Sequence, residues 1–285
     1  MGASLSFKNS IDNVDCLPAL PFIAQKILAL KLDTDEGESK LLELIALDPI
    51  ISAKIIGLSK STLFGASGMI VSVKEAALRL GLKTIKSVAI GLATMEALNK
   101  TTSSQLRKTE LWTKSISVAM AMKVLSKYMQ SRHRPLDDQI FLAGLLHDIG
   151  YIVIDYVSPD TLNSLLNHFE TENEEALLAI ENKILGMSHS DVGGRLVFFW
   201  DLPDEIVAVV RHHHNQSHVD LGMAQSLVRL VYLAERIITP FGVKEGSTEL
   251  HQTDWGDLGI NPEKSDDIIA EVLYEITKVN QFFHI

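Results

Sequence analysis

The chain has 285 residues, 46% of them hydrophobic and 22% charged, so it can bury the core of one large globular domain or two small ones. Its formal net charge of -10 argues against a general nucleic-acid binder, because neutralising phosphates needs a basic surface. The lone cysteine, Cys16, excludes an internal disulfide, and we expect it to be a small buried filler. No apolar run reaches the roughly 18 residues of a membrane span and residues 1–15 lack a secretory pattern, so we expect a cytoplasmic protein.

Apolar residues recur at helical spacing along almost the whole chain, and sustained β alternation occurs nowhere. The pattern predicts an all-α bundle of about a dozen helices. In chain order, the predicted helices cover residues 24–29, 41–45, 49–58, 72–80, 83–98, 111–129, 137–157, a segment beginning at 158–159, 172–185, a segment beginning at 188, 204–214, 222–239 and 262–279.

Local residue pairs mark several helix ends. Asp48-Pro49 is typical of a helix start, with the aspartate as N-cap and the proline in the first turn. Ser72 and Glu75 have the spacing of a capping box, and Gly81 predicts the end of that helix. Residues 99–107 are polar and poor in large apolar side chains, so we place a joint between two helical halves there. Residues 242–259 are typical of a loop.

The first candidate for chemistry is the pair His147-Asp148, which ends an apolar helical stretch and is followed by Ile149-Gly150. An adjacent histidine and aspartate can serve divalent cations, the imidazole supplying nitrogen and the carboxylate bridging two ions. A single His-Asp pair is weak evidence for a metal site, because many such pairs lie on protein surfaces. In apolar surroundings, however, an unpaired aspartate would be costly. Burial therefore demands a partner, which can be a metal, a cationic side chain or a helix N-terminus.

Further histidines lie in two later segments. His189 stands in the first turn of one predicted helix, and His212, His213 and His214 end another. Consecutive residues of a helix point about 100° apart, so at most two of the three easily share one ligand. On its own, the triplet fits imidazolium capping of a helix C-terminus as well as it fits metal binding. The preceding His-Asp pair and His189 favour metal binding.

Short motifs follow one another along the chain: Leu17-Pro-Ala-Leu-Pro21, Leu47-Asp-Pro49, Ala76-Ala-Leu-Arg-Leu-Gly81, Ala143-Gly-Leu-Leu-His-Asp-Ile-Gly150, His189-Ser-Asp-Val-Gly193, Trp200-Asp-Leu-Pro203 and His213-His214. Together they resemble the HDOD family, an all-α relative of the HD metal-dependent phosphohydrolases. The resemblance implies a multi-helix bundle of the HD-domain type over residues 14–215. Its N-terminal helical half would reach about residue 105 and its HD-like half would begin at about residue 106, and residues 216–285 would form a helical extension packing on the HD-like half.

The resemblance also implies a set of metal ligands. Glu235 stands where related HD domains carry an aspartate, and Lys114 stands where catalytic HD enzymes usually bring a further histidine. A lysine ammonium there would repel a divalent ion and could neutralise Asp148, the candidate catalytic residue. We therefore expect an incomplete site that holds at most one divalent ion, of Mn, Fe, Zn, Ni or Mg. The implied ligands are His147, Asp148, His189, His213, His214 and Glu235.

The remaining residues have ordinary interpretations. Arg195 and Arg211 flank the candidate segments and could meet a phosphate, although surface ion pairing is the commoner role. Trp112, Trp200 and Trp255 fit core or interface anchors. The Gly-Tyr-Pro element of cyclic-di-GMP phosphodiesterases is not evident. A P-loop, a dinucleotide fingerprint, zinc-ribbon cysteines and a Gly-x-Ser-x-Gly elbow are missing too, which removes most other enzyme classes.

Two functions follow from these expectations. The first is a bacterial signal-transduction module with a degenerate metal site, acting through a protein partner or a small nucleotide ligand, with homodimer formation left open. The second is a metal-dependent phosphohydrolase, in which metal-bound water attacks a nucleotide or cyclic-nucleotide phosphoester. A structural histidine cluster without metal lies between them. The position of Lys114 relative to Asp148 distinguishes the first function from the second. An ion pair between the two side chains would place the lysine ammonium group where the first metal ion would otherwise bind.

Overall fold

The computed structural model describes residues 2–64, 70–99, 105–215, 221–245 and 249–283. Every regular element in those ranges is helical, which confirms the predicted all-α class. Five short 3-10 turns accompany the α-helices. The α-helices are α1 (Gly2–Asp12), α2 (Phe22–Leu28), α3 (Asp35–Ala46), α4 (Pro49–Ser59), α5 (Val73–Leu80), α6 (Leu82–Asn99), α7 (Lys108–Tyr128), α8 (Asp137–Leu146), α9 (Ile149–Val157), α10 (Pro159–Leu166), α11 (Glu174–Leu185), α12 (His189–Phe199), α13 (Asp204–His212), α14 (Gln225–Ile238), α15 (Gln252–Gly256) and α16 (Ser265–Phe283).

Helix α7 forms the centre of the bundle. Between Leu111 and Ser126 most of its residues are buried, because α8, α14 and α16 pack around it. A helix that is apolar on nearly all sides is typical of such a central position. Trp112 in α7, like Trp200 and Trp255, is buried, as the sequence predicts.

The N-terminal helices and the later helices share one continuous core. Helix α6 packs on α2 and α8, and α16 packs on both α7 and α4. The Ser61 hydroxyl donates to the buried Glu275 carboxylate at 2.6 Å, and Trp200 Nε1 donates to the Pro18 carbonyl oxygen at 2.9 Å. The C-terminal helices therefore touch both halves. The predicted domain boundaries at residues 105 and 215 stay a prediction.

The prediction of one continuous helix over residues 137–157 is wrong. Two helices, α8 and α9, occupy this stretch, and His147 and Asp148 form the break between them. The Asp148 backbone leaves the helical region, with φ -94° and ψ 12°. The apolar pattern runs on across the break, so periodicity alone does not reveal it.

The same stretch corrects the expectation about apolar runs. Asp137–Val157 is long and apolar enough, by length and composition, to cross a membrane. However, 89% of its most apolar window is buried inside the protein. Burial of that extent is typical of core helices, so the segment belongs to the interior of the bundle.

The predicted helix starts are confirmed at one position and corrected at another. Asp48 Oδ1 accepts the N–H groups of Ile50 and Ile51, both at 2.9 Å, as expected of an N-cap. Ser72 accepts the Glu75 N–H at 3.2 Å, but the Glu75 carboxylate accepts the N–H of Val71 rather than that of Ser72. The proposed capping box is therefore only half formed.

Smaller differences concern elements with weak local signals. Helix α1 was not predicted, and the expected loop at 242–259 contains the short helix α15. The helix predicted from residue 172 begins at Glu174, because the Asn173 side chain caps the Ala176 N–H. Cys16 is partly exposed rather than buried. Residues 100–104, the middle of the predicted joint, lie outside the described ranges.

Candidate metal centre

The predicted ligands come together where several helix ends meet inside the bundle. His147 and Asp148 form the break between α8 and α9, and His189 is the first residue of α12. The pair His213-His214 follows α13, and Glu235 lies near the end of α14. All except His214 are buried, and the His214 side chain is only 7% exposed. Residues that are far apart in the chain thus supply one polar cluster in an apolar interior.

Asp148, His189, His213 and His214 form the first donor group. Asp148 Oδ1 lies 3.3 Å from His189 Nε2 and 3.6 Å from His213 Nε2. His189 Nε2 lies 3.3 Å from His213 Nε2 and 3.0 Å from His214 Nε2. In a tetrahedral site with metal–ligand bonds of about 2.0–2.1 Å, the donor atoms stand about 3.3–3.4 Å apart. These four distances are close to tetrahedral values, and all four donor atoms lie within 4.8 Å of one another.

The other oxygen of Asp148 belongs to a second donor group. Asp148 Oδ2 lies 3.3 Å from His147 Nε2, which lies 3.4 Å from Glu235 Oε1. Glu235 is completely buried, and within the described part of the chain neither of its carboxylate oxygens has a hydrogen-bond partner. A buried carboxylate left this way is costly. A cation between His147 and Glu235 would remove that cost, so this group also fits a metal.

The histidines turn their Nε2 atoms inward. His147 Nδ1 lies 2.8 Å from the Gly144 carbonyl oxygen, and His213 Nδ1 lies 3.0 Å from that of Val210. A carbonyl oxygen can only accept, so each of these Nδ1 atoms donates a hydrogen. The neutral form of each ring then presents a lone pair on Nε2 toward Asp148, as a metal ligand must.

Two carboxylates orient the other histidines in the same way. Glu181 accepts from His189 Nδ1 at 2.8 Å, and Glu174 accepts from His214 Nδ1 at 2.9 Å. Glu181 also accepts from the Tyr151 hydroxyl at 2.8 Å and from the backbone N–H of His189 at 2.8 Å. Carboxylates that hold the outer nitrogen of a histidine are the usual surroundings of histidine metal ligands.

The buried charges shift the pKa values of two histidines upward. Burial by itself lowers the pKa of His189, but Glu181 and Asp148 outweigh it and raise the pKa to about 10. Burial likewise opposes protonation of His147, yet Asp148 and Glu235 raise its pKa well above the usual range. In the metal-free protein these imidazoles therefore hold protons that balance the carboxylates, and a divalent cation would replace the protons.

His213 and Asp148 are already in the ionisation states that a metal needs. Burial, and next the charge of His214, lower the pKa of His213 to about 4, so its ring is neutral. Burial opposes ionisation of Asp148, but the charge of His147 and hydrogen bonds from His147 and His189 hold its pKa well below the usual range. A neutral imidazole and an ionised carboxylate therefore face each other at the centre.

The donor types narrow the class of metal. Three imidazoles and a carboxylate suit Zn, Fe, Mn or Ni, whereas all-oxygen sites suit Ca and Mg. The second group has one imidazole and two carboxylates and leaves coordination positions open. The cluster can thus bind a divalent transition metal, and its residues do not select among these ions.

Little free space surrounds these donors. The cavity bordered by Asp148, Tyr151, His189 and His214 has a volume of about 10 Å³. A single water needs about 10–15 Å³ measured in the same way, so a phosphoester does not fit. Pockets of about 400 and 440 Å³ each reach His214 from outside, but neither contains Asp148 in its lining.

Lys114 does not neutralise Asp148, which corrects that expectation. Within the described residues these two form no ion pair, and Lys114 Nζ lies 3.5 Å from the Thr239 carbonyl oxygen. Arg195 pairs with Asp12. Arg211 has no ion pair among the described residues and lines the 440 Å³ pocket beside His214.

Sequence reasoning did not find Glu174, Glu181 and Tyr151. Glu181 lies on the buried stripe of α11, four residues from both Leu177 and Leu185. A carboxylate on an otherwise apolar stripe is the signal that could have identified it. Glu174 gives no comparable signal, because acidic residues are common in the first turn of a helix.

Comparisons with known proteins agree with this architecture. A crystal structure of an HDOD domain protein of unknown function from Geobacter sulfurreducens superposes with a TM-score of 0.78, at 22% identity, over 100% of this chain and 98% of the other. A candidate signal transduction protein from Marinobacter aquaeolei VT8 gives 0.71 at 26% identity over 94% of this chain. A candidate metal-dependent phosphohydrolase from Shewanella amazonensis SB2B gives 0.63 at 22% identity, over 94% and 92% of the two chains.

Some relatives are much longer. The chain spans 59% of the Marinobacter protein and 39% of an uncharacterised protein from Treponema pallidum (strain Nichols), to which it is 23% identical over 210 residues, or 73% of its own length.

An all-α bundle with a buried cluster of histidines around the aspartate of a His-Asp pair defines the class of helical proteins built on an HD-type centre. Within that class, the family model of the HDOD domain matches residues 17–216. The chain therefore belongs to the HDOD domain family.

Proposed function

We propose that this HDOD domain is a regulatory signalling module whose buried centre holds a divalent metal ion. Asp148, His189, His213 and His214 would hold the ion, and Glu174 and Glu181 would orient the histidines. When bound, the ion would neutralise the buried carboxylates and act as a Lewis acid. The module would act by binding a protein partner or a small nucleotide ligand, alone or as a homodimer.

The observation that carries this proposal is a well-formed donor set in a closed space. The four donor atoms all lie within 4.8 Å of one another, and His213 is held neutral. The adjoining cavity of about 10 Å³ has room for about one water and excludes a phosphoester in this conformation. Metal binding without substrate access favours a regulatory role over efficient hydrolysis. The name of the Marinobacter relative, at 26% identity, gives further support.

A metal-dependent phosphohydrolase is the second candidate. It is favoured by Asp148, whose two oxygens face two different donor groups, as a carboxylate bridging two metals would. It is also favoured by Lys114, which forms no ion pair with Asp148 among the described residues and instead lies beside the Thr239 carbonyl oxygen. The name of the Shewanella protein agrees, although its 22% identity supports the fold alone.

Metal content is the first test. We would purify the protein without a chelator or an affinity tag and measure bound metals by mass spectrometry, beside Asp148→Ala and the control Asp160→Ala at an exposed position. We expect stoichiometric transition metal in the wild type and the control, and none in Asp148→Ala. A wild type with no more metal than Asp148→Ala would leave a structural histidine cluster.

Turnover separates the two candidates. The metal-loaded protein would be assayed on bis-p-nitrophenyl phosphate and on nucleotide and cyclic-nucleotide phosphoesters. We expect no turnover above that of Asp148→Ala. Hydrolysis that depends on Asp148 would replace the regulatory proposal with the phosphohydrolase.

A further inference from the structure

A short segment directly after α14 covers the metal centre. Residues 239–244, here named the strap, run from Thr239 to Lys244, and Pro240, Phe241 and Val243 at its middle are buried. These three residues line the 10 Å³ cavity together with Asp148, His189 and His214. The strap therefore forms one wall of the space in front of the ligands.

Phe241 is the residue that closes this space. Its ring meets Tyr151 edge to face with centroids 5.6 Å apart, and it meets Phe169 in the same way at 5.4 Å. Tyr151 is stacked on His189 with centroids 4.2 Å apart. One aromatic ring thus lies between Phe241 and a metal ligand, and Phe241 itself borders the cavity beside Asp148.

Backbone hydrogen bonds join the strap to the turn after α10. The Glu170 N–H donates to the Gly242 carbonyl oxygen at 2.8 Å, and the Lys244 N–H donates to the Glu172 carbonyl oxygen at 2.9 Å. Lys114 Nζ lies 3.5 Å from the Thr239 carbonyl oxygen. The lysine at the position of the implied first histidine ligand therefore contacts the strap.

The backbone of the strap adopts conformations that side chains resist. Thr239 has φ +63°, which is unfavourable for a β-branched residue. Gly242 has φ +78°, and a Cβ on it would lie 2.7 Å from the Phe169 ring. The conformation of Thr239 persists only where surrounding contacts impose it, and such strained residues cluster at segments that switch, whereas Gly242 tolerates its own φ because it has no side chain. The closed position of the strap thus depends on the contacts of Phe241 and Gly242.

We propose that the strap is a gate, and that a phosphate-sized anion reaches the metal only when Phe241 leaves its place beside Tyr151 and Phe169. This inference rests on the metal site of the proposed function and adds its regulation. It is compatible with both candidate functions, because a closed strap explains why a metal centre in this conformation gives no access to a substrate.

The test measures how fast a chelator reaches the metal. The full chain would be loaded with Co²⁺, and its visible absorption would be followed after adding excess EDTA. We expect Phe241→Ala and Gly242→Ala to lose Co²⁺ at least about tenfold faster than the wild type, because local opening limits access. Inorganic phosphate should change the Co²⁺ spectrum in these two variants and leave the wild-type spectrum unchanged.

Two control variants match the substitutions. Phe64→Ala removes an aromatic ring that packs on Phe141, away from the strap. Gly81→Ala introduces a side chain at φ +84° with no atom within 4 Å of the new Cβ. Both should keep the wild-type extraction rate. Lys114→Met, which changes no buried aromatic ring, supplies a milder strap variant if Phe241→Ala fails to fold.

The outcomes separate the gate from the metal site. If the wild type binds Co²⁺ but strap and control variants release it at equal rates, the gate is wrong and the metal site stands. If the wild type binds no Co²⁺, the proposed function fails and the gate fails with it. Fast Co²⁺ release that occurs in the strap variants and not in the controls supports both the gate and the metal site.

Discussion

Gly150 in α9 lies directly against the backbone of His189 in α12. A Cβ built on Gly150 would stand 1.9 Å from the His189 carbonyl oxygen and 3.1 Å from the Gly193 nitrogen. This close approach places the first turns of the two helices side by side. It lets Asp148, two residues before Gly150, set its Oδ1 atom 3.3 Å from His189 Nε2. The helix contact and the ligand spacing therefore depend on the same glycine.

Replacing Gly150 with alanine should separate α9 from α12. Because the new Cβ would overlap backbone that cannot rotate away, we expect the free energy of unfolding to fall by about 2–3 kcal/mol or more. Metal content should fall as well, since the two ligands move apart. Urea denaturation and metal analysis would measure these effects. The control Gly256→Ala, whose Cβ would meet nothing within 4 Å, should not be destabilised. Equal stability of both variants would contradict the proposed contact.

Glu181→Gln should weaken metal binding while leaving every proposed ligand in place. The Glu181 carboxylate accepts from His189 Nδ1, fixes the orientation of the ring and makes Nε2 a better donor. Losing such a partner typically reduces metal affinity about 10- to 100-fold. Competition with a chromophoric chelator would give the affinity. Glu175→Gln, an exposed change on the same helix, is the matched control, and an equal affinity in both variants would refute the role of Glu181.

Metal binding should release protons and strengthen as the pH rises. In the metal-free protein the pKa of His189 is raised from 6.5 to about 10, so the ring carries a proton at pH 8 that the metal must displace. One displaced proton makes the apparent affinity rise about tenfold per pH unit between pH 7 and pH 9. Calorimetry in two buffers of different ionisation enthalpy would count the protons. A binding enthalpy that is independent of the buffer would disprove the displacement.

The raised pKa of His189 also makes the stability of the metal-free fold depend on pH. Because the folded pKa of His189 lies above 6.5, its proton stabilises the fold fully below that pH, and this contribution is lost as the pH rises through about 10. Thermal unfolding of the metal-free protein between pH 7 and pH 10 should therefore show a falling Tm. Metal loading should reduce the fall, because the bound ion replaces the proton.

Lys114→His should increase the metal content. The lysine does not pair with Asp148, and among the described residues the second donor group consists of three ligands, His147, Asp148 and Glu235. A histidine supplied from α7 should allow a second metal equivalent to bind, which elemental analysis would detect. Lys114→Met, which removes the charge without adding a donor, should stay at the wild-type stoichiometry. An unchanged metal content in Lys114→His would mean that more than this ligand is missing.

The site residues could be found from the sequence because they stand in motifs. His147, Asp148, His189, His213 and His214 were all predicted, and the structure brings them together. Their partner Glu181 was not predicted, because a glutamate in an amphipathic helix is compatible with a solvent-facing position until the helix that covers it is known. Its burial follows from its position against the first turn of α12, where it bonds His189.

Periodicity within about ten residues determined most helices and the all-α class, since helix formation depends on side-chain spacing and local capping. The break at His147-Asp148, the direction of Lys114 and the closure by Phe241 were decided only by the tertiary structure. Each depends on atoms distant in the chain: the break carries Asp148 to His189, Lys114 reaches Thr239, and Phe241 packs on Tyr151. A sequence pattern records the chemistry of these residues, whereas their distances arise only when the helices pack.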